Sequence, residues 1–348
     1  MKKWKLLLID ALLLAALLLS ACQKPEQTGN TGTTATPVQT EPTVVTEPAP
    51  TVEPVEASWV VMPEDYAVSC REYFVYDVTA GEFVDSSGDP ATTQIYPASI
   101  TKLFTTYVAM QYLEPETLVK VGAEITLIDP DSTTADLEQG DVVPAKLLVG
   151  GMLLPSGNDA AYAIAAAAGR VILEDPDCSA WTAVNAFVEE MNRQAQALGM
   201  TGSHFRNPDG IHQDDHYLSL ADMALVGKLS LESKLVMGYA CMPMETVQLG
   251  ERVETWKNTN LLIRDDVPYM SDEELAQIPN IDPLVYRQLY CSYAVGLKTG
   301  RTTPAGCCLL SAFQVQGRTL VVGVFGSAEG EGRFTDTLHL LNKTLNLV

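Results

Sequence analysis

Positive charge is scarce in this chain. Lys and Arg total 22 against 44 Asp and Glu, for a formal net charge of −22. Phosphate backbones want a basic surface, so this balance argues against nucleic acid as a partner. Histidine is scarcer, with 4 in 348 residues. His204, His212 and His216 lie close together, but a zinc site would need a further ligand and a catalytic purpose. Hydrogen bonding at a loop and a helix boundary accounts for them. The cysteines lack metal-ligand spacing, since the only close pair is the adjacent Cys307-Cys308. No metal and no cofactor is expected. The most apolar run, Leu6 to Leu19, is short and interrupted by Asp10, so it does not read as a spanning helix. What is abundant is apolar content, at 47%, with only 19% charged. That is enough for a buried core and excludes disorder of the whole chain.

The first residues read as an export signal, with Lys2, Lys3 and Lys5 ahead of the apolar run. Leu19-Ser20-Ala21-Cys22 resembles a bacterial lipobox, which implies that the Cys22 thiol carries a diacylglyceryl group. An ordinary cleaved signal with an incidental cysteine is the plainer alternative. Residues 1–21 are the expected signal. Residues 22–57, rich in Thr, Pro and Glu, are an expected disordered tether, able to reach roughly 100 Å when extended. The folded domain is expected over 58–348. Its six cysteines are an even number in an exported chain, and free buried thiols are favoured over an assigned disulfide pattern.

Within that domain, Tyr73–Asp77 and Glu82–Val84 read as strands around a Thr79-Ala80-Gly81 turn. Ser99 to Leu113, Ala160 to Ala168, Trp181 to Leu198 and Leu218 to Leu231 carry helical spacing. Strand patterns return at Ser292–Leu297, Cys307–Gln314 and Thr319–Phe325, and 333–347 reads as a closing helix. Residues 264–288 look like an added loop. Strands, then helices, then strands imply one antiparallel sheet with a helical insertion, an α+β fold.

Three short motifs carry chemistry. Ser99 and Lys102, three apart at a helix start, share one face. Against an apolar core the lysine amine tends to the neutral form, which can take the serine proton. Alone, the pair reads more readily as a capping serine and a surface lysine. Ser156-Gly157-Asn158 sits on a turn before a helix, where Ser156, Asn158 or Asp159 would serve as a cap. Functionally, it offers a proton-relaying hydroxyl and an amide. Lys298-Thr299-Gly300 closes a strand pattern, offering a cation and a hydroxyl beside a glycine that permits close approach.

In this order the three resemble the signature of penicillin-recognising serine enzymes. The surrounding text is similar to the D-alanyl-D-alanine carboxypeptidases: Tyr96-Pro97-Ala98-Ser99-Ile100-Thr101-Lys102, Leu154-Pro155-Ser156-Gly157-Asn158-Asp159-Ala160-Ala161, His204-Phe205-Arg206-Asn207-Pro208-Asp209-Gly210, and Gly296-Leu297-Lys298-Thr299-Gly300 with Thr302 and Ala305-Gly306. The resemblance covers about residues 68 to 345. It implies a three-layer α/β/α, β-lactamase/transpeptidase-like fold with a five-stranded antiparallel sheet and a helical insertion subdomain. It implies Ser99 as nucleophile, Lys102 as base and Ser156 as proton relay. Asn158, Lys298, Thr299, Gly300 and Arg301 would bind substrate, with an oxyanion hole from the Ser99 and Arg301 amides. It implies a peptidoglycan stem peptide as substrate, β-lactams as inhibitors, and an extracytoplasmic place at the membrane through the Cys22 lipid.

Two departures matter. Arg301 stands where the family more often has an aromatic residue or histidine, and its side chain is a candidate for recruiting the substrate carboxylate. The family's common second β-sandwich domain and C-terminal membrane helix have no counterpart before Val348. The rival readings are a D,D-endopeptidase, a non-catalytic peptidoglycan-binding lipoprotein, and a class A-like β-lactamase. The last needs a deacylating glutamate, whereas Glu189 and Glu190 fall on the polar side of a helix pattern.

Overall fold

The computed structural model describes residues 59–275 and 283–347. The expected signal, the tether and Cys22 lie outside the described residues. Among the described residues no helix is long and apolar enough to cross a membrane.

The centre is a five-stranded sheet in the order β2-β1-β11-β10-β9, antiparallel at every pairing. Its strands are β1 (Glu72–Asp77), β2 (Glu82–Ser86), β9 (Ala294–Thr302), β10 (Gly306–Val315) and β11 (Arg318–Ser327). Smaller pairs join β3 (Gln94–Ile95) to β6 (Leu218–Ser219), β4 (Leu118–Lys120) to β5 (Val142–Pro144), and β7 (Met244–Leu249) to β8 (Arg252–Lys257). The longer helices are α1 (Thr101–Ala109), α2 (Ala145–Leu153), α3 (Asn158–Ile172), α4 (Ala180–Ala197), α5 (Leu220–Glu232), α6 (Lys234–Ala240) and the closing α9 (Gly332–Thr344). Two short helices, α7 (Asp272–Leu275) and α8 (Pro283–Arg287), lie in the segment read as a loop.

Both sheet faces are covered, as the apolar sequence of β10 and β11 requires. Cys308, Leu310 and Ala312 of β10 and Val321 and Phe325 of β11 pack into the core shared with α1 to α6. The alternate residues, Leu309, Phe313 and Val315 with Leu320, Val322 and Val324, pack with Phe334, Leu338 and Leu341 of α9. This two-residue alternation gives each face its own core. Trp59 joins the α9 core, donating through its indole N–H to Asn342 Oδ1 at 2.8 Å. The six cysteines of the described fold are free, with Cys291, Cys307 and Cys308 buried.

Candidate active site

The Ser-x-x-Lys pair straddles a change of helix type. Ser99 lies in a 3₁₀ turn over Ala98–Ile100, and Lys102 is the second residue of α1. Helix α1 is buried on nearly every side, so Lys102 cannot reach solvent and is 0% exposed. Its Nζ lies 2.9 Å from Ser99 Oγ, 2.7 Å from Asn158 Oδ1 and 3.0 Å from the Asp209 carbonyl oxygen. The last two atoms can only accept, so they take two amine hydrogens. On a neutral amine the lone pair then faces the Ser99 hydroxyl. Burial pushes the amine down from 10.5 to about 8, against the upward pull of Asp209 and Asp159. The lysine is thereby poised as a base.

Asn158 is held by both ends. Its Oδ1 takes the Lys102 amine and its Nδ2 donates to Ser132 Oγ at 2.8 Å. It therefore does not cap α3, whose N-cap is Gly157 without a side-chain hydrogen bond. Asp159 is also diverted. Its carboxylate accepts from the amides of Ala135, Leu137 and Ala160, which ties the 133–137 loop to the start of α3. Ser156 is half-buried at φ +70°, a left-handed conformation that costs an L-residue energy. The hydrogen bonds joining Ser99, Lys102, Asn158 and Ser132 pass it by.

Lys298, Thr299 and Gly300 lie within β9, not beyond its end. Lys298 is 0% exposed, and its Nζ donates to Thr299 O at 3.1 Å and Thr259 Oγ1 at 3.4 Å. Its pKa falls well below the ordinary lysine value, first through burial and then through Lys102 and Arg333. Thr299 and Thr259 share a hydroxyl–hydroxyl hydrogen bond of 2.6 Å. Gly300 sets how near the strand comes to Ser99. A methyl added there would sit 2.9 Å from the Pro97 carbonyl oxygen and 3.1 Å from the Ser99 amide nitrogen.

Arg301 points outward and is exposed. A second arginine, Arg333 at the start of α9, is directed at the site. Its Nη1 donates to Gly300 O at 3.4 Å, while its Nε is buried with no hydrogen-bond partner among the described residues. Lys102, Lys298, Arg301 and Arg333 make no salt bridge with a described residue. In a chain of net charge −22, the Arg301 and Arg333 guanidiniums are charges that suit an anionic ligand. Ser132, Thr259 and Arg333 escape motif reading, because each comes from a segment remote from the three motifs.

His216 is held on both ring nitrogens. The Arg206 amide donates to His216 Nδ1 at 3.4 Å, which leaves Nε2–H to donate to Thr101 Oγ1 at 3.1 Å. Burial pushes His216 down to about 3. Glu190 is buried rather than on a polar face. Tyr112, Arg193 and Gln194 hold its carboxylate, so it is not free for a deacylating role. Among the described residues no cluster could hold a metal ion.

Known proteins with similar sequence and fold are D-alanyl-D-alanine peptidases. The chain is 28% identical over 283 residues to D-alanyl-D-alanine carboxypeptidase DacA of Escherichia coli K12, an alignment covering 79% of this chain and 60% of that protein. It is 28% identical over 200 residues to a D-alanyl-D-alanine endopeptidase of Haemophilus influenzae, covering 57% of this chain and 62% of that one. The chain thus spans about 60% of the length of these relatives. In fold it is similar to the DD-transpeptidase of Streptomyces K15, with a TM-score of 0.65 and 24% identity over 81% of this chain and 98% of that one. The sequence profile of the peptidase S11 family, described as D-alanyl-D-alanine carboxypeptidase, matches residues 60–272. That stretch holds the first two motifs and ends before Lys298. Matched over more than half its length, the chain belongs to the peptidase S11 family.

Proposed function

We propose that the chain is a serine D,D-carboxypeptidase that removes the terminal D-alanine from peptidoglycan stem peptides. The observation that carries this reading is the buried Lys102 amine, set 2.9 Å from Ser99 Oγ. Ser99 attacks the penultimate D-alanine carbonyl while Lys102 takes its proton. The Ser99 and Arg301 amides receive the oxyanion, a contribution of ~3–4 kcal/mol per donor in related chemistry. Ser156 passes a proton to the leaving nitrogen. Asn158 orients Lys102, and its remaining N–H is available to the substrate backbone. Lys298, Thr299 and Arg333 receive the terminal carboxylate, with exposed Arg301 at the rim. Water then releases the acyl-enzyme, and β-lactams acylate the same serine. The Cys22 lipid would anchor the enzyme to the outer face of the membrane; Cys22→Ala should then move the exported protein from the membrane fraction to the medium.

The test is D-alanine release from diacyl-lysyl-D-alanyl-D-alanine by the full chain and by Ser99→Ala. Release that vanishes in the variant supports the reading. No release from a folded wild-type protein overturns it. The Haemophilus relative motivates a second reading, cleavage of cross-links by the same residues, which a purified cross-linked muropeptide tests directly.

A further inference from the structure

The segment 207–211 is fastened to the nucleophile's surroundings at three points. Thr105 Oγ1 donates to the Pro208 carbonyl at 2.7 Å, and Lys102 Nζ donates to the Asp209 carbonyl at 3.0 Å. Gly210, at φ +87°, packs so tightly that an added methyl would land 1.8 Å from the Ala98 carbonyl oxygen. Asn207 closes the loop on itself, accepting from the Gly210 amide at 2.8 Å and donating to the Ile211 carbonyl at 2.7 Å. To this clamp the side chain of Asp209 adds a single hydrogen bond, from the Ile211 amide.

That side chain is nevertheless buried, with Asp209 only 1% exposed. Oδ1 accepts from the Ile211 amide at 3.2 Å, while Oδ2 is buried with no hydrogen-bond partner among the described residues. A buried carboxyl oxygen without a donor is a costly arrangement. The ionisable groups that act on it, or that it acts on, are Lys102 of α1, Tyr162 of α3 and Asp129 of the loop before Ser132. Lys102 is the one cation among these three. Burial pushes the Asp209 carboxyl up, and Lys102 is the largest influence holding it down.

We propose that Asp209 is a positioning residue for the reaction assigned above, its carboxylate holding by charge the ammonium that Lys102 becomes on taking the Ser99 proton. The proton leaves Ser99 Oγ for Lys102 Nζ as the Oγ–carbon bond forms, and it later departs with the leaving amine. Asp209 gains and loses no bond. The Lys102 amine is already bonded to the carbonyl of the same residue at 3.0 Å, and Oδ2 has no hydrogen-bond partner among the described residues. The inference rests on the acyl-transfer reading.

The experiment follows acylation of the full chain by a fluorescent penicillin across the neutral and alkaline range, for wild type and Asp209→Asn. Removing the charge should move the acid limb of the rate profile down by about one pH unit, the low end for a nearby opposite charge. The plateau above it should fall, because the base is weaker. A superimposable profile in a folded variant overturns the proposal and leaves the acyl-transfer reading intact, whereas an unlabelled wild type overturns that reading itself. If the variant does not fold, wild type labelled with carboxyl-¹³C aspartate replaces it. A buried carboxyl resonance shifting at the midpoint of the acid limb is then expected, and no such resonance overturns the proposal.

Discussion

A single methyl at Gly300 should disable acylation while leaving the fold in place. The three atoms such a methyl meets are the Pro97 carbonyl oxygen and Ala98 Cβ at 2.9 Å and the Ser99 amide nitrogen at 3.1 Å. Comfortable contacts begin near roughly 3.5 Å, so the shortfall is about half an ångström. None of the three can swing away, because all belong to backbone or to a Cβ. Relief must come from β9 and the Ser99 turn moving apart. Those are the two pieces that would supply the oxyanion donors and the carboxylate site. A misplacement approaching 1 Å at such a centre costs on the order of 10²-fold in rate. Overpacking costs about 1–3 kcal/mol of stability, which a domain of this size survives. The assay is the second-order rate of labelling by a fluorescent penicillin, with thermal unfolding as control. Labelling of Gly300→Ala within about twofold of wild type would refute the link between this close approach and the chemistry.

Other consequences follow from the same geometry. With its amine at about 8, Lys102 is the base only when unprotonated, so wild-type acylation should rise with pH through that value and level off above it. A flat profile across that range would contradict this. Arg333→Leu should raise KM about 10–100-fold for substrates ending in a free carboxylate, the scale of one charge-assisted hydrogen bond, and should scarcely affect the corresponding amide. Equal losses for both would assign Arg333 a structural role. Asp336 is 0% exposed and accepts hydrogen bonds from Tyr66, the amides of Ser69 and Cys70, and the hydroxyls of Ser69 and Ser327. Asp336→Ala should therefore lose at least about 3 kcal/mol in urea unfolding. Phe313→Ala should lose about 3–5 kcal/mol by opening a cavity between sheet and α9.

The sheet and the long helices were legible because both obey a simple period. Leu309, Phe313 and Val315 face one way and Leu310 and Ala312 the other, as alternation demands. Helix α1 stops at Ala109 although apolar spacing continues to Leu113, because the next turn tightens, with the Gln111 and Tyr112 amides bonding three residues back to the Val108 and Ala109 carbonyls at 3.1 and 3.0 Å. The β7–β8 hairpin went unread, although its β-branched residues and the turn at Gly250, φ +60°, signal it. It adjoins α6, whose pattern blurs the boundary. The chemical motifs were legible because each is contiguous. Thr259, Ser132 and Arg333 are isolated residues that tertiary structure brings to the centre. None of the three falls in a contiguous motif, so nothing in the sequence marks them out.

The docking of Trp59 onto Asn342 has a topological consequence. The first described residue and the closing helix share one surface, where Asn342 Nδ2 also donates to the Val60 carbonyl at 3.3 Å. Ser99 and Lys102 lie with the core on the opposite sheet face, beside Ala98, Ile100 and Leu103. A short linker joining residue 347 back to residue 59 would cross little of the surface and none of the catalytic side. Chain termini could then be reopened at the Gly250 turn of the β7–β8 hairpin, giving a circular permutant with the catalytic centre intact.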